Sequence, residues 1–397
     1  MTTPKTTQDR KKLMIVMVID NYLPYLGGAE LQAQQLGREL VSRGHRVIIL
    51  TRGRKGLSEK ETIDGVEVAR LPVLNITQTS RLNYLAIMLY LHQIISFCKR
   101  HRAEIDVVHS HGIGRMALLL GKRLHKMGIP YVVKVPTAGD TSILGIGALS
   151  FAQDFLQDVN GFIAVGDDIF DELKIRRVAP EKIYRIPNGV DTNRFCPLPH
   201  AKKTTLRAQL SLPPGFLCVY TGRLIKRKGL EFLVDTWSTI ITSCPTALLV
   251  IIGSGELQPD SIEDDLLLMV KEKKLSNHVY LPGKKDDVSP YIQASDCFIF
   301  TSLREGMPNS VLEAMSCGLP IIVAATGGHV SLITPDKEGI IVPFGKPKEL
   351  ANAVLSLDRK PALRALLGKV ARKKAVARYS IKQITDMYED LYWKLGS

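Results

Sequence analysis

The sequence predicts an α/β protein of two doubly wound domains. Three observations carry that expectation. At 397 residues the chain exceeds what one hydrophobic core ordinarily serves. From Leu13 onward, short apolar runs alternate with longer segments of helical periodicity, the pattern of a parallel sheet covered on both faces. This series runs twice, with a break at Pro197–Pro199.

The first series opens with LMIVMVI, a buried strand ending at Asp20. A turn at Gly27 and Gly28 starts a helix, AELQAQQLGRELVSRG, which Gly44 stops. HRVIILT, VEVARLP, IDVVHSH, YVVKVP and GFIAVG follow as strands. The second series contributes LCVYTGR, ALLVIIGSG, VYLPG, CFIFTS and PIIVAA. The predicted organisation is a disordered arm (1–12), a Rossmann-like N-terminal domain (13–190), a Rossmann-like C-terminal domain (191–379), and a helix (380–397) packing back on the first domain. Ligands of such sheets bind beyond the carboxyl ends of the strands, here in a cleft that the two domains face.

Composition narrows the class. With 45% hydrophobic and 23% charged residues the chain suits a globular protein. Its net charge of +14 divides into +8 for residues 1–190 and +6 for the rest, a diffuse field that attracts phosphate-bearing partners. Six scattered cysteines without a CxxC pair argue against a zinc site or a disulfide framework and fit a reducing cytoplasm. The first dozen residues are polar and lack an apolar signal core. The longest apolar stretch, Leu82 to Cys98, falls short of the roughly 18 uninterrupted apolar residues of a membrane span. Its part Tyr84 to Leu91 stands between Arg81 and the cations Lys99, Arg100 and Arg102. It reads as a core helix with a solvated end, or as a peripheral contact with an anionic membrane face.

Gly-rich turns at strand–helix junctions offer backbone N–H groups to an anion. Gly27-Gly28-Ala29-Glu30 is one, and an ordinary turn explains it equally well. Gly112-Ile-Gly114 imitates a dinucleotide fingerprint, but the later strand ends on Lys134 and not on an acidic ribose ligand, which counts against a nicotinamide cofactor. Thr221 to Gly229, TGRLIKRKG, places Arg223 and Lys228 where they can clamp a diphosphate, or simply forms a solvated basic turn. Glu305-Gly-Met-Pro-Asn-Ser-Val-Leu-Glu313 follows the strand CFIFTS. It sets Glu305 in a loop, starts a helix near Pro308, Asn309 and Ser310, and puts Glu313 on that helix, which Gly318 closes. Taken alone, both carboxylates also read as ordinary solvated residues.

The E-x7-E spacing within EGMPNSVLEAMSCGLPIIVA resembles the signature of the family 4 glycosyltransferases, a retaining group of GT-B fold. TGRLIKRKG, IPNGVDTNRF, GGAE and DVVHSHG resemble family motifs too, in the family's order and over nearly the whole chain. The resemblance implies roles. Arg223 and Lys228 would hold the donor diphosphate, Glu305 the hydroxyls of the donor sugar, and Glu313 the ribose. Gly28 would offer its N–H to phosphate, and the backbone from Met307 through Pro308 and Asn309 to Ser310 would contact sugar and phosphate. His111 matches the family histidine near the donor sugar, with a helix cap or a satisfied core imidazole as its plain alternatives, whereas His109 reads as core. After YVVKV the chain departs from the pattern with PTAGDTS, and Asp140 is assigned to the acceptor.

The activity implied is transfer of a sugar from a nucleotide-diphosphate donor, a UDP-sugar or GDP-sugar, to a saccharide or lipid-linked acceptor in cell-surface polysaccharide or glycolipid synthesis. No D-x-D triplet occurs, so a metal-free hexosyltransferase without cofactor is expected. It would work in the cytoplasm or on the inner face of the membrane, with no nucleic-acid partner. Three other readings stay open: a GT-B nucleotide-sugar epimerase, a nucleic-acid-binding protein suggested by the pI of 9.4, and a catalytically silent subunit.

Overall fold

The structure is a computed structural model describing residues 11–25, 27–73, 81–113, 115–137, 156–256, 258–325 and 331–396. The chain divides into two compact units, Met1–Asn188 with Ile381–Ser397, and Gly189–Ser380. The division falls inside IPNGVDTNRF.

Unit 1 is built on an eight-stranded sheet among the described residues. Its strands are β1 (Met14–Val18), β2 (Arg46–Arg52), β3 (Lys60–Ile63), β4 (Val66–Leu71), β5 (Val107–Ser110), β6 (Tyr131–Val135), β7 (Gly161–Ala164) and β8 (Ile183–Arg185). They run in the order β3-β4-β2-β1-β5-β6-β7-β8. The inner strands are buried on both faces, as β1 (MIVMV) and β6 (YVVKV) show at every position. Helices cover such a sheet, and their apolar stripes follow from sequence: Ala33, Leu36 and Leu40 on the helix Gly28–Ser42 face inward.

The all-parallel expectation needs one correction. β3 pairs antiparallel with β4 through Asp64 (φ 52°) and Gly65 (φ 81°), a two-residue turn whose left-handed positions suit Asp-Gly. The strand is an exposed, charged edge, Lys60 and Glu61 included, so it lacks the apolar run that marks a buried strand.

The C-terminal helix Ile381–Gly396 belongs to unit 1. It packs Ile384, Tyr388, Leu391 and Tyr392 on the face formed by Met17, Val107, Val132 and Ile163. A polar latch holds it from outside. His45 Nδ1 accepts from the Leu13 N–H (3.1 Å), so Nε2 carries the proton and donates to Glu389 Oε1 (2.6 Å). Arg43 donates to Glu389 Oε2 (2.6 Å) as well.

Unit 2 carries a six-stranded parallel sheet among the described residues, ordered β11-β10-β9-β12-β13-β14. Its strands are β9 (Phe216–Thr221), β10 (Ala247–Ile252), β11 (Val279–Tyr280), β12 (Cys297–Phe300), β13 (Ile321–Ala324) and β14 (Gly339–Val342). Trp237, Phe298 and Phe300 fill its core. The order reverses between β9 and β12, which makes the carboxyl ends of these two strands the switch point where doubly wound sheets bind ligands.

Candidate functional site

The segments after β9 and β12 meet at that switch point. Gly229 sits at φ 66°, and a Cβ there would collide with the Thr301 carbonyl, so only glycine lets the loop lie this close to the end of β12. Thr301 Oγ1 bonds the carbonyls of Lys228 (3.0 Å) and Gly229 (3.1 Å), and the Leu303 N–H donates to the Arg227 carbonyl (2.9 Å). The strap brings residues 77 positions apart together: Lys228 Nζ donates to Glu305 Oε1.

Glu305 Oε1 also accepts from Arg227 Nη1 (3.0 Å) and Ser302 Oγ (2.7 Å). All three donors converge on this one oxygen, and no contact of Oε2 is seen among the described residues. Burial raises the Glu305 carboxyl, but Lys228, Arg227 and Ser302 outweigh it and hold the group below its ordinary value. Burial in turn lowers Lys228, and Glu305 opposes that. Arg223 is exposed. Its Nη1 donates to Gln258 Oε1 (3.1 Å), and its charge reaches Lys228.

The helix Asn309–Ser316 starts directly after this loop, with Pro308 as its N-cap. Met307, Asn309 and Ser310 are half-buried there and Pro308 is buried. Glu313 is 6% exposed, so the solvated reading of this carboxylate does not hold. Burial, with Asp287 adding and Arg194 opposing, raises its carboxyl to about 7.

Unit 1 places its own candidates at the carboxyl ends of β1 and β5. Gly28 begins the first helix after Gly27, whose N–H donates to Glu30 Oε2 (3.0 Å). His111 follows β5 and is buried with neither ring nitrogen hydrogen-bonded, so it is neither a cap nor a satisfied core imidazole. Its ring stacks on His109 at 4.0 Å, and His109 Nδ1 pairs with the Tyr392 hydroxyl (2.7 Å). Asp140 lies outside the described residues. Sequence reasoning passed over Arg227, Ser302, Lys134 and Tyr392. Only Arg227, inside the basic run IKRK, carried a local signal.

Two parallel-sheet α/β units with phosphate-compatible strand ends define a protein of GT-B type. The "Glycosyltransferase Family 4" domain pattern matches residues 26–194, and "Glycosyl transferases group 1" matches residues 215–359. The chain belongs to the family 4 glycosyltransferases. A UDP-Gal:alpha-D-GlcNAc-diphosphoundecaprenol alpha-1,3-galactosyltransferase of Escherichia coli is 32% identical over 222 residues, 54% of this chain; the chain thus spans about half (55%) of that relative. An N-acetyl-alpha-D-glucosaminyl L-malate synthase of Bacillus anthracis is 23% identical over 93% of this chain and 94% of its own. Among solved structures, Anabaena HepE in complex with UDP and glucose aligns with a TM-score of 0.79 at 19% identity, covering 95% of this chain and 98% of that one. At that identity the likeness concerns the fold.

Proposed function

We propose that this protein is a retaining glycosyltransferase that moves a sugar from a UDP-sugar to a saccharide or lipid-linked acceptor. The observation that carries the reading is the Lys228–Glu305–Arg227 cluster at the ends of β9 and β12, with Glu313 buried on the helix behind it. Arg223 and Lys228 stabilise the departing diphosphate, and preorganised positive charge at developing negative charge is ordinarily the largest catalytic contribution. Glu305, fixed through Oε1, offers Oε2 to donor-sugar hydroxyls, while Glu313 takes the ribose. In unit 1, His111 is assigned to the donor sugar and the Gly28 N–H to phosphate. The anomeric bond to the diphosphate breaks as the acceptor oxygen bonds the same face, and the leaving phosphate takes the acceptor's proton. These side chains supply the charge without a metal or other cofactor.

The UDP preference is supported by HepE, whose structure holds UDP and glucose, and by the E. coli relative, which uses UDP-Gal; an acceptor on lipid is supported by the latter's diphosphoundecaprenol. The same relatives favour transfer over the epimerase, nucleic-acid-binding and silent-subunit readings. A thermal-shift screen against UDP, GDP, ADP and their sugars tests the donor site, since a ligand of the native state raises stability. Stabilisation by UDP supports it; no response to any nucleotide sinks it. Product analysis with donor alone separates transfer from epimerisation.

Contact with a membrane face, and hence work at the cytoplasmic surface, is part of the proposal. No helix among the described residues is long and apolar enough to cross a membrane. On the helix Arg81–Arg100, Leu85 (49%) and Leu89 (40%) are exposed one turn apart, ahead of Lys99 and Arg100. Leu119, Lys122 and Arg123 are exposed on the helix Arg115–Met127, which packs against it. Apolar side chains flanked by cations suit an anionic lipid surface. Sedimentation with acidic but not neutral vesicles is expected; equal behaviour with both removes this part.

A further inference from the structure

The sheet of unit 1 carries polar side chains that its packing does not account for. Strand side chains alternate between faces, so His109 and His111 share one face. The parallel register pairs His109 with Val132 and Ser110 with Val133, and its next step sets His111 beside Lys134. The face is otherwise apolar and lies under the C-terminal helix. Into it project His109 (0% exposed), His111 (5%) and Lys134 (5%).

No hydrogen bond or ion pair engages the Lys134 ammonium among the described residues, and it lies 5.9 Å from the centre of the Tyr388 ring. His109 Nε2, both nitrogens of His111 and the Tyr388 hydroxyl are unpartnered too. A buried ammonium is costly unless an opposite charge or several acceptors meet it. Burial alone brings Lys134 down to about 7 and, with Lys134 adding, holds both imidazoles well below their ordinary value. Lys134 has only donors, and a neutral imidazole and a phenol each add one. What this group lacks is an acceptor-rich anion.

We infer that Lys134 and His111 form an anion subsite at the carboxyl ends of β5 and β6, taking a phosphoryl group of the substrate. Two sources share this chemistry: the diphosphate of the donor, or a phosphate on the acceptor. Only the choice between them rests on the proposed glycosyl transfer.

The test uses the full chain, its Lys134→Met and Lys134→Arg variants, and inorganic phosphate and pyrophosphate as probes. Met keeps the unbranched volume and removes the unpaired charge, so the unliganded Lys134→Met protein should melt higher than wild type. Phosphate or pyrophosphate should stabilise wild type and Lys134→Arg. For Lys134→Met the half-maximal concentration should rise about tenfold or more, the loss of one charge-assisted contact. Should Lys134→Met fail to fold, His111→Ala reads the same phosphate response. Repeating the titration in saturating UDP separates the sources: a response that survives assigns the subsite to the acceptor, and one that vanishes assigns it to the donor diphosphate. An equal phosphate response in wild type and Lys134→Met overturns the inference, as does a lower melting temperature for the variant with its phosphate response intact. Failure of the transfer reading is distinct, because it appears as wild type that ignores UDP, while the phosphate comparison still stands.

Discussion

Glu313→Gln should stabilise the protein and cripple its nucleotide binding. Burial raises the Glu313 carboxyl from 4.5 to about 7. The folded state therefore holds a proton that the unfolded state releases, and stability falls as pH rises through that window. Above both values the full cost applies, about 3 kcal/mol at 1.36 kcal/mol per tenfold change in proton affinity. Glutamine keeps the shape and carries no charge, so at pH 8.5 the transition of unit 2 should rise by roughly 6–12 °C, given 2–4 °C per kcal/mol for a unit of this size. At pH 4, where wild-type Glu313 is protonated in both states, the two proteins should melt together. Calorimetric melting at both pH values, with isothermal titration of UDP, measures the pair of effects. A variant that is less stable at pH 8.5, or equally displaced at both pH values, refutes the reasoning about burial. Undiminished UDP affinity refutes the ribose role.

Glu305→Ala should lower turnover strongly while UDP affinity by titration stays near wild type; equal loss of both removes the sugar-binding role. The same variant leaves Lys228 buried without its partner and should cost roughly 3 kcal/mol in melting experiments. Arg223→Ala should cost about 100-fold in turnover, the scale of one lost transition-state donor. Being exposed, the position should move stability by less than about 0.5 kcal/mol, so a large fall in melting temperature would show that Arg223 is structural. Glu389→Gln should lower stability by roughly 3 kcal/mol at neutral pH, since Arg43 and His45 lose the carboxylate that meets them. Burial raises Glu389, but His45 and Arg43 outweigh it and hold the carboxyl low. Its stabilisation is thus present above the ordinary glutamate range and lost on acidification, and urea titrations at pH 7 and pH 4 should show the gap closing.

The fold was largely legible because buried parallel strands announce themselves as apolar runs, and β1, β2, β6, β9, β10 and β12 all do so. β3 escaped because an exposed edge strand has no such run, although Asp64-Gly65 was the readable signal. β8 and β14 are short, with partly exposed positions. At the candidate site, the spacing of Glu305 and Glu313 was plain, but their environments were not. Glu313 is charged and helical, and nothing local says that its helix lies inside the unit. Tyr392 lies on the terminal helix that the sequence assigned to packing, and it does pack, yet its hydroxyl meets His109 across 283 positions of sequence. Long-range pairing of that kind leaves no trace in periodicity.

Unit 2 holds a control for the argument from unpaired groups. Asp296 is half-buried and ionised, and its oxygens receive Lys203 Nζ (2.9 Å), Arg207 Nη2 (2.7 Å) and the Leu217 N–H (2.9 Å). Burial would raise its carboxyl, but these partners keep it below the ordinary value. Its charge is spent inside the fold, tying the helix His200–Gln209 to the strand edge, and nothing remains for a ligand. Glu305 is intermediate: one oxygen is committed to Lys228, Arg227 and Ser302, and no contact of the other is seen among the described residues. Glu313, His111 and Lys134 are buried more deeply yet meet no such set of partners, and burial dominates the shift of each. Selection for stability alone would replace them with apolar side chains of similar volume. Their place at strand ends and on a helix beside the switch point, where doubly wound sheets bind ligands, is the ground for proposing that a substrate completes them. The melting behaviour of Glu313→Gln and Lys134→Met measures that distinction directly, because a residue serving the fold destabilises when removed, and one serving a ligand does not.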